Sequence, residues 1–206
     1  MTAMRPPEHI ITENQVPTAP GFYRWTVERY HRLIESGQLN ENDRLELMFG
    51  QIVPKMPIGE LHALCLSMLN KYFVSKFGFE YGYRFQSPIG LLGHSEPEPD
   101  FAIVKDLIYD KSYGHPKADD IHLLIEISDT TLAYDRGDKA RLFAMASIAE
   151  YWIINLEGQK LEVHLKPEPE TGVYTQITHY KLGEIASSPF CGEVNPADLI
   201  PESGED

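Results

Sequence analysis

Two stretches of the chain decide the fold: Pro-Glu-Pro-Asp-Phe-Ala-Ile-Val at residues 97–104 and Ile-His-Leu-Leu-Ile-Glu-Ile-Ser at residues 121–128. Each contains a run of consecutive apolar residues, which is typical of a strand buried on both faces. Asp100 comes just before the first run, and Glu126 lies near the end of the second. If the two strands pair antiparallel, the start of the first lies beside the end of the second, so the sequence allows the two carboxylates to converge. A buried charge is costly unless it is paired, hydrogen-bonded or bound to a metal.

A lysine follows these strands on a predicted helix. Apolar residues recur at helical steps between residues 134 and 149, on one stripe made of Leu142, Phe143, Ala146 and Ala149. Lys139 precedes this stripe by three and four residues, which places it on the inward-facing side. It is either a side chain that extends to solvent from the helix end or a catalytic cation near the carboxylates. Asp135 lies one turn earlier on the same face and could pair with it.

The other elements follow from hydrophobic periodicity and turn residues. Alternation along residues 121–128 predicts Leu124, Glu126 and Ser128 on one face of that strand. Helical spacing predicts helices over residues 26–37 and 59–77, and Phe49-Gly50 predicts a tight hairpin turn. Further strands are predicted over residues 79–85, 89–92, 150–156, 159–165 and 173–182. An irregular segment is expected after these strands.

Two side chains outside the central stretch have two interpretations each. Glu46 lies on the first strand of the predicted hairpin, where it is either a solvent-facing residue on an edge strand or a member of the site. His62 lies near the start of the second helix, one position from its apolar stripe. It is either a partly buried, hydrogen-bonded histidine or a catalyst.

The composition is that of a folded globular protein: 206 residues, of which 42% are hydrophobic and 24% charged. We expect one domain over residues 21–200, between an extended proline-rich arm at 1–20 and an acidic tail at 201–206. No apolar run approaches the length of a membrane span, and the N-terminus lacks the apolar core of a signal peptide, so a cytoplasmic protein without a membrane partner is expected. Cys65 and Cys191 match no metal spacing, so both are expected to be reduced.

The net charge of −13 argues against a protein that coats nucleic acid without specificity. Such proteins derive their affinity from Lys and Arg that neutralise phosphates. The charge does not exclude a nuclease, because site carboxylates are themselves acidic and a local basic strip can act within an acidic whole.

Together these residues resemble a known pattern. Pro99-Asp100 followed by Glu126-Ile127-Ser128 is similar to the PD-(D/E)XK nuclease superfamily. A longer ordered set, spanning roughly residues 20 to 200, resembles the bacterial "putative restriction endonuclease" family, first catalogued as a domain of unknown function: Arg44-Leu45-Glu46-Leu47, Gly50-Gln51-Ile52-Val53, His62, Pro99-Asp100, Glu126-Ile127-Ser128, Asp135, Lys139 and Glu150-Tyr151-Trp152. The superfamily has lysine two residues after the glutamate, where this chain has Ser128. In the narrower family the lysine lies on the following helix, and Lys139 is the matching position.

The resemblance implies an α/β fold with a restriction-endonuclease-like core. This core is a central mixed β-sheet flanked by helices, with an extra N-terminal helix and a C-terminal β-hairpin. It also implies a Mg2+-dependent endonuclease that hydrolyses phosphodiester bonds in DNA, with Mn2+ as a substitute metal. Cutting two strands would suit a homodimer.

The resemblance also implies the roles of the site residues. Asp100, Glu126 and the backbone carbonyl of Ile127 hold the metal, and Glu46 adds a further ligand. Lys139 orients the attacking water or stabilises the charge of the transition state. His62 and Asp135 support these residues without binding the metal.

Two other functions remain open from the sequence. The chain could be a catalytically inactive protein on a nuclease fold that dimerises or binds a partner, as the net charge and the serine at position 128 suggest. It could also be a metal hydrolase acting on a smaller phosphate ester, which would need no basic groove. The sequence does not distinguish DNA from RNA or specify a recognition sequence.

Overall fold

The computed structural model describes residues 23–105 and 114–202. The predicted arm at 1–20, part of the predicted loop at 105–120 and most of the predicted tail at 201–206 lie outside the described residues.

One mixed sheet of six strands forms the centre of the structure. Its strands, in spatial order, are β3 (Gly82–Phe85), β4 (Phe101–Val104), β5 (Ile121–Ser128), β6 (Glu150–Asn155), β7 (Lys160–Glu168) and β8 (Val173–Lys181). Strands β5 and β6 are parallel, and every other neighbouring pair in this sheet is antiparallel. The predicted mixed sheet is therefore confirmed, with β4 and β5 both inside it.

Helices and a hairpin cover the sheet. They are α1 (Val27–Glu35), the β1–β2 hairpin (Leu45–Met48 and Gln51–Pro54), α2 (Glu60–Phe77), α3 (Leu132–Tyr134) and α4 (Ala140–Met145). A π-helical turn, Asp135–Lys139, joins α3 to α4. No helix in the described part of the chain is long and apolar enough to cross a membrane.

The two faces of the sheet belong to two apolar clusters. On one face, Leu69 and Phe73 of α2 pack against Leu123 and Ile125 of β5. On the other face, Leu124 packs with residues of α4 such as Leu142 and Phe143. This arrangement confirms the predicted alternation from Leu123 onwards, because Leu123, Ile125 and Ile127 enter one cluster and Leu124 enters the other. Ile121 joins the cluster of Leu124, on the far side of the register shift between Ile103 and Val104.

Local signals in the sequence explain where several elements begin and turn. The Thr26 hydroxyl accepts the Arg29 N–H at 3.3 Å and so caps α1. Phe49 and Gly50 have φ values of 50° and 78°, the left-handed geometry of the tight turn expected between β1 and β2. Cys65 and Cys191 are buried free thiols, as predicted.

Three predicted elements differ from the structure. The helix expected over 134–149 starts at Leu132, ends at Met145 and contains the π-helical turn. It cannot continue to residue 149, because Ser147 has a left-handed φ of 61°. Residues 89–92 form only isolated bridges, since Pro88 and Gly90 interrupt the pattern. The segment expected to be irregular contains a short hairpin, β9 (Ala186–Ser188) and β10 (Gly192–Val194).

Candidate active site

A cavity of about 370 Å3 opens beside the start of β4 and the end of β5. The β1–β2 hairpin, the start of α2, and the α3 helix with the π-helical turn form its other walls. Six carboxylate side chains belong to the lining: Glu46, Glu98, Asp100, Glu126, Asp129 and Asp135. The basic residues in the same lining are Arg44, Lys55, His62 and Lys139. The cavity is thus an acidic site that contains a few fixed cations.

The antiparallel register of β4 and β5 brings Asp100 beside Glu126. Phe101 pairs with Ile125, so the residue before Phe101 lies opposite the residue after Ile125. The Asp100 N–H donates to Glu126 Oε2 at 3.4 Å, and Asp100 Oδ2 accepts the Ile127 N–H at 2.8 Å. The two carboxylates therefore meet through hydrogen bonds with each other's backbone segments.

The same register leaves the carbonyl of Ile127 without a ladder donor from β4. Continuing the pairing by one more residue places Pro99 opposite Ile127, and proline has no N–H to donate. The N–H and the carbonyl of one strand residue point to the same side, and the Ile127 N–H points to Asp100. The Ile127 carbonyl thus faces the same edge as the two carboxylates.

Lys139 reaches this edge from the π-helical turn. Its Nζ lies 2.8 Å from Glu126 Oε1 and 5.8 Å from the centre of the Tyr134 ring. Both members of the ion pair are buried, with 8% of Lys139 and 2% of Glu126 exposed. The alternative that Lys139 extends to solvent is wrong. Turns of π-helix are frequent at functional sites, and this one positions a cation beside a carboxylate.

Asp135 does not form the ion pair with Lys139 that its place one turn earlier allowed. It accepts hydrogen bonds from Ser128 Oγ at 2.5 Å and from Thr131 Oγ1 at 2.6 Å, while the ion pair of Lys139 is with Glu126. Ser128, at the position where the superfamily has lysine, therefore links β5 to the helical segment that carries Lys139.

Burial and charge shift the proton affinities of the three central groups. Burial alone would lower the pKa of Lys139, but the carboxylates around it, Glu126 first, raise that pKa well above its usual value. Burial raises the pKa of Glu126 well above normal, partly offset by Lys139. Burial also acts to raise the pKa of Asp100, but His62 and Lys139 outweigh it and the pKa is lowered. These pKa shifts favour the charged forms of Lys139 and Asp100.

His62 and Gln86 hold the Asp100 carboxylate from the side of α2 and β3. His62 Nε2 lies 3.0 Å from Asp100 Oδ1, although the ring N–H is not aligned well enough for a good hydrogen bond. Gln86 Nε2 donates to the same oxygen at 3.2 Å. His62 is only 9% exposed, so its contact with Asp100 is shielded from water.

Glu46 is buried in the cavity wall, with 2% of its surface exposed, so a solvent-facing position is wrong. Its Oε2 accepts the Glu98 N–H at 3.0 Å, and its Oε1 accepts the Tyr134 hydroxyl at 3.4 Å. Among the described residues, Glu46, Asp100 and Glu126 do not offer three oxygens within 4.8 Å of one another. Glu46 belongs to the cavity but stands back from the other two carboxylates.

The sequence did not indicate several residues of this cavity. Gln86 and Tyr134 contact the predicted site residues, but neither lies in a pattern that marks it. Glu98, which forms an ion pair with Lys55, could have been suspected, because it precedes Asp100 by two residues in an extended segment and so shares a face with it.

The donors that converge here fit a hard divalent cation. Asp100, Glu126 and the Ile127 carbonyl offer only oxygen, which is what Mg2+ and Mn2+ prefer. Mg2+ usually binds through one or two carboxylates and keeps several waters, so two carboxylates and one carbonyl are a sufficient set.

The fold and the cavity together define a class of protein: a mixed α/β protein with a restriction-endonuclease-like core, in which two carboxylates and a buried lysine meet at the ends of paired strands. The chain belongs to the Uma2 family, described as "Putative restriction endonuclease", whose model matches residues 27–194. This match confirms the family predicted from the motifs.

One solved structure to which the chain is similar is described as a "putative nuclease belonging to DUF820" from Anabaena variabilis ATCC 29413. The TM-score is 0.57 at 17% identity, and the match covers 84% of this chain and 96% of that chain. At this identity the similarity establishes the fold. No curated protein matches the chain.

Proposed function

We propose that this protein is a Mg2+-dependent endonuclease that hydrolyses phosphodiester bonds in DNA, with Mn2+ as a substitute metal. One observation carries the proposal: Asp100, Glu126, the Ile127 carbonyl and the Lys139 ammonium converge at the ends of two paired central strands. The description of the family and that of the similar solved structure support a nuclease in general. Metal dependence and the DNA substrate are our own inference from the site.

Asp100, Glu126 and the Ile127 carbonyl would hold the ion. When bound, a divalent ion lowers the pKa of a coordinated water and offsets negative charge on the phosphate. His62 and Gln86 keep the Asp100 carboxylate in a single orientation. The Ile127 N–H bond fixes its second oxygen. The Asp100 carboxylate is therefore preorganised, by His62 and Gln86 on one oxygen and by the backbone of Ile127 on the other.

Lys139 supplies the positive charge at the reacting phosphate. A fixed donor in a site sheltered from water stabilises charge that develops in the transition state. Its raised pKa, caused by Glu126 and the other carboxylates, keeps it protonated and so suited to stabilise or orient and not to act as a base. Asp135, bonded to Ser128 and Thr131, holds the turn that presents Lys139.

Cleavage of supercoiled plasmid and of labelled duplex in Mg2+, Mn2+ or chelator tests the proposal. Asp100→Asn and Lys139→Met should each reduce the rate roughly 100-fold or more, the usual cost of a lost electrostatic contact in a catalytic site. Glu157→Gln, at an exposed turn, is the matched control and should leave the rate unchanged. Activity that survives both site substitutions would contradict the assignment.

A non-catalytic module on the same fold is the second candidate. It is favoured by the net charge of −13 and by the Lys139–Glu126 pair, which satisfies both charges without a metal. Because a ligand of the folded state raises the melting midpoint, Mg2+ should stabilise the nuclease but not this module. If Mg2+ stabilises the fold and duplex DNA fails to compete with a small phosphate ester, the substrate is the smaller ester.

The oligomeric state is a separate part of the proposal. A homodimer would place two such cavities on one duplex and allow both strands to be cut. Sedimentation analysis with and without duplex DNA checks this, and a monomer in both conditions that still makes double-strand breaks would rule the dimer out.

A further inference from the structure

A second group of ligating side chains lies outside the active-site cavity, and the nuclease proposal does not use it. His31, Glu96 and His115 each present one ligand atom, and these atoms all lie within 4.8 Å of one another. No other group of three or more His, Cys, Asp or Glu in the described part of the chain meets this distance.

Glu96 forms the buried base of this group. Only 5% of it is exposed, and both carboxylate oxygens lie 2.8 Å from His31 Nε2. One ring nitrogen cannot saturate two carboxylate oxygens, which together accept about four hydrogen bonds. Glu96 therefore keeps lone pairs for a further partner, and the half-exposed side of His31 leaves that partner a path from solvent.

His115 supplies the third side. Its ring meets that of His31 edge to face, with the ring centres 5.9 Å apart. Within residues 23–105 and 114–202, no side chain or backbone group forms a hydrogen bond with the His115 ring. One of its nitrogens lies within 4.8 Å of a Glu96 carboxylate oxygen and of a His31 nitrogen.

The backbone fixes the three side chains independently. His31 lies on α1, whose first N–H bonds to the loop before Glu96 at 3.0 Å. Glu96 exchanges backbone hydrogen bonds with Leu47 of β1. The carbonyl of the residue after His115 accepts the Gly90 N–H at 2.9 Å. The arrangement is therefore set before any ligand binds.

The surrounding charges do not prevent a cation from binding. Arg84 and Glu98 are the other charged groups that act on His115, one positive and one negative. Their effects oppose each other, and the Arg84 guanidinium donates to the Pro88 carbonyl at 3.3 Å. Glu98 is also paired with Lys55, so the charge that the three side chains themselves contribute is that of the Glu96 carboxylate.

We propose that His31, Glu96 and His115 form a site for a divalent transition metal, with Zn2+ the best fit. Imidazole nitrogens suit Zn2+, Cu2+ and Ni2+, whereas Mg2+ prefers the oxygen-only set of the active site. Three protein ligands leave a fourth position of the tetrahedron for water. The ion links α1, the segment before β4 and the segment before β5, so its main effect is to tie α1 to the sheet.

Zn2+ binding to the chelator-treated full chain, measured by competition with a chromophoric chelator, tests the site. We expect one equivalent per chain that millimolar Mg2+ does not displace, and a higher melting midpoint in Zn2+. His31→Gln and His115→Gln should each weaken binding more than roughly tenfold, since even loss of a partner behind a ligand costs about that much. His179→Gln, at an exposed histidine of β8, is the matched control.

Two outcomes would overturn the proposal. If Asp100→Asn abolishes binding and His115→Gln does not, the ion sits in the active-site cavity. If no stoichiometric binding occurs, His31 and Glu96 form an ion pair only. A measurement on the wild-type chain does not depend on the folding of any variant: bound Cu2+ should show nitrogen coupling from two imidazoles in its EPR spectrum, and an oxygen-only or single-imidazole spectrum contradicts the site.

Discussion

The ion pair between Lys139 and Glu126 gives a prediction that does not depend on catalysis. Lys139→Met keeps most of the side-chain volume but leaves the Glu126 carboxylate, which is 2% exposed, without the ammonium 2.8 Å away. Breaking a buried pair by removing one partner costs about 3–5 kcal/mol, because an uncompensated charge remains. We expect Lys139→Met to lower the free energy of unfolding by about this amount at pH 8.

The double variant Lys139→Met/Glu126→Gln separates the lost pair from lost packing. It removes both charges, so it should be more stable than Lys139→Met alone, and the coupling between the two positions should appear in a double-mutant cycle. Urea unfolding in chelator-containing buffer measures the wild type, Lys139→Met, Glu126→Gln and the double variant.

The pH dependence provides a second check with a defined sign. Burial raises the pKa of Glu126 in the folded state, and loss of Lys139 removes the main opposing influence. A carboxyl with a raised folded-state pKa contributes stability at low pH that is lost as the pH rises through that pKa. The cost of Lys139→Met should therefore be smaller at pH 5 than at pH 8. Equal stability of wild type and Lys139→Met at pH 8 would refute the buried ion pair.

Three further predictions concern the scaffold. Burial lowers the pKa of His164 to about 4, so stability should fall as the pH drops from about 6.5 towards 4, by up to about 3 kcal/mol. His164→Phe should reduce this loss of stability at low pH, measured by urea unfolding. If the pH dependence of stability is unchanged in the variant, other groups cause the loss. Gly50→Ala should lower the melting midpoint more than Gly37→Ala. Both glycines have a positive φ, but only a Cβ at Gly50 would contact another side chain, that of Arg24 at 3.0 Å. Equal shifts of the midpoint in the two variants would count against a packing effect. The Cys65 and Cys191 thiols, whose pKa values burial raises to about 12 and about 11, should react with a thiol reagent only after unfolding, and rapid labelling of the native chain would contradict their burial.

Local pattern was sufficient for the elements that build the centre of the sheet. Apolar runs identified β4 and β5, because a strand covered on both faces shows little alternation. Helical spacing identified α2 with Gly78 as its end. Antiparallel pairing of the two strands then required Asp100 to lie beside Glu126, so this half of the site followed from sequence order and strand geometry.

The sequence by itself thus indicated the two central strands, the family, and two carboxylates that converge if those strands are antiparallel, as the structure shows them to be. Only the tertiary structure decided how Lys139 reaches Glu126 through a π-helical turn, that Glu46 is buried but set back, and that His31, Glu96 and His115 meet. The physical reason is that periodicity reports which face of an element is buried. It does not report which distant element covers that face, and those contacts depend on how the hairpin, helices and loops pack around the sheet.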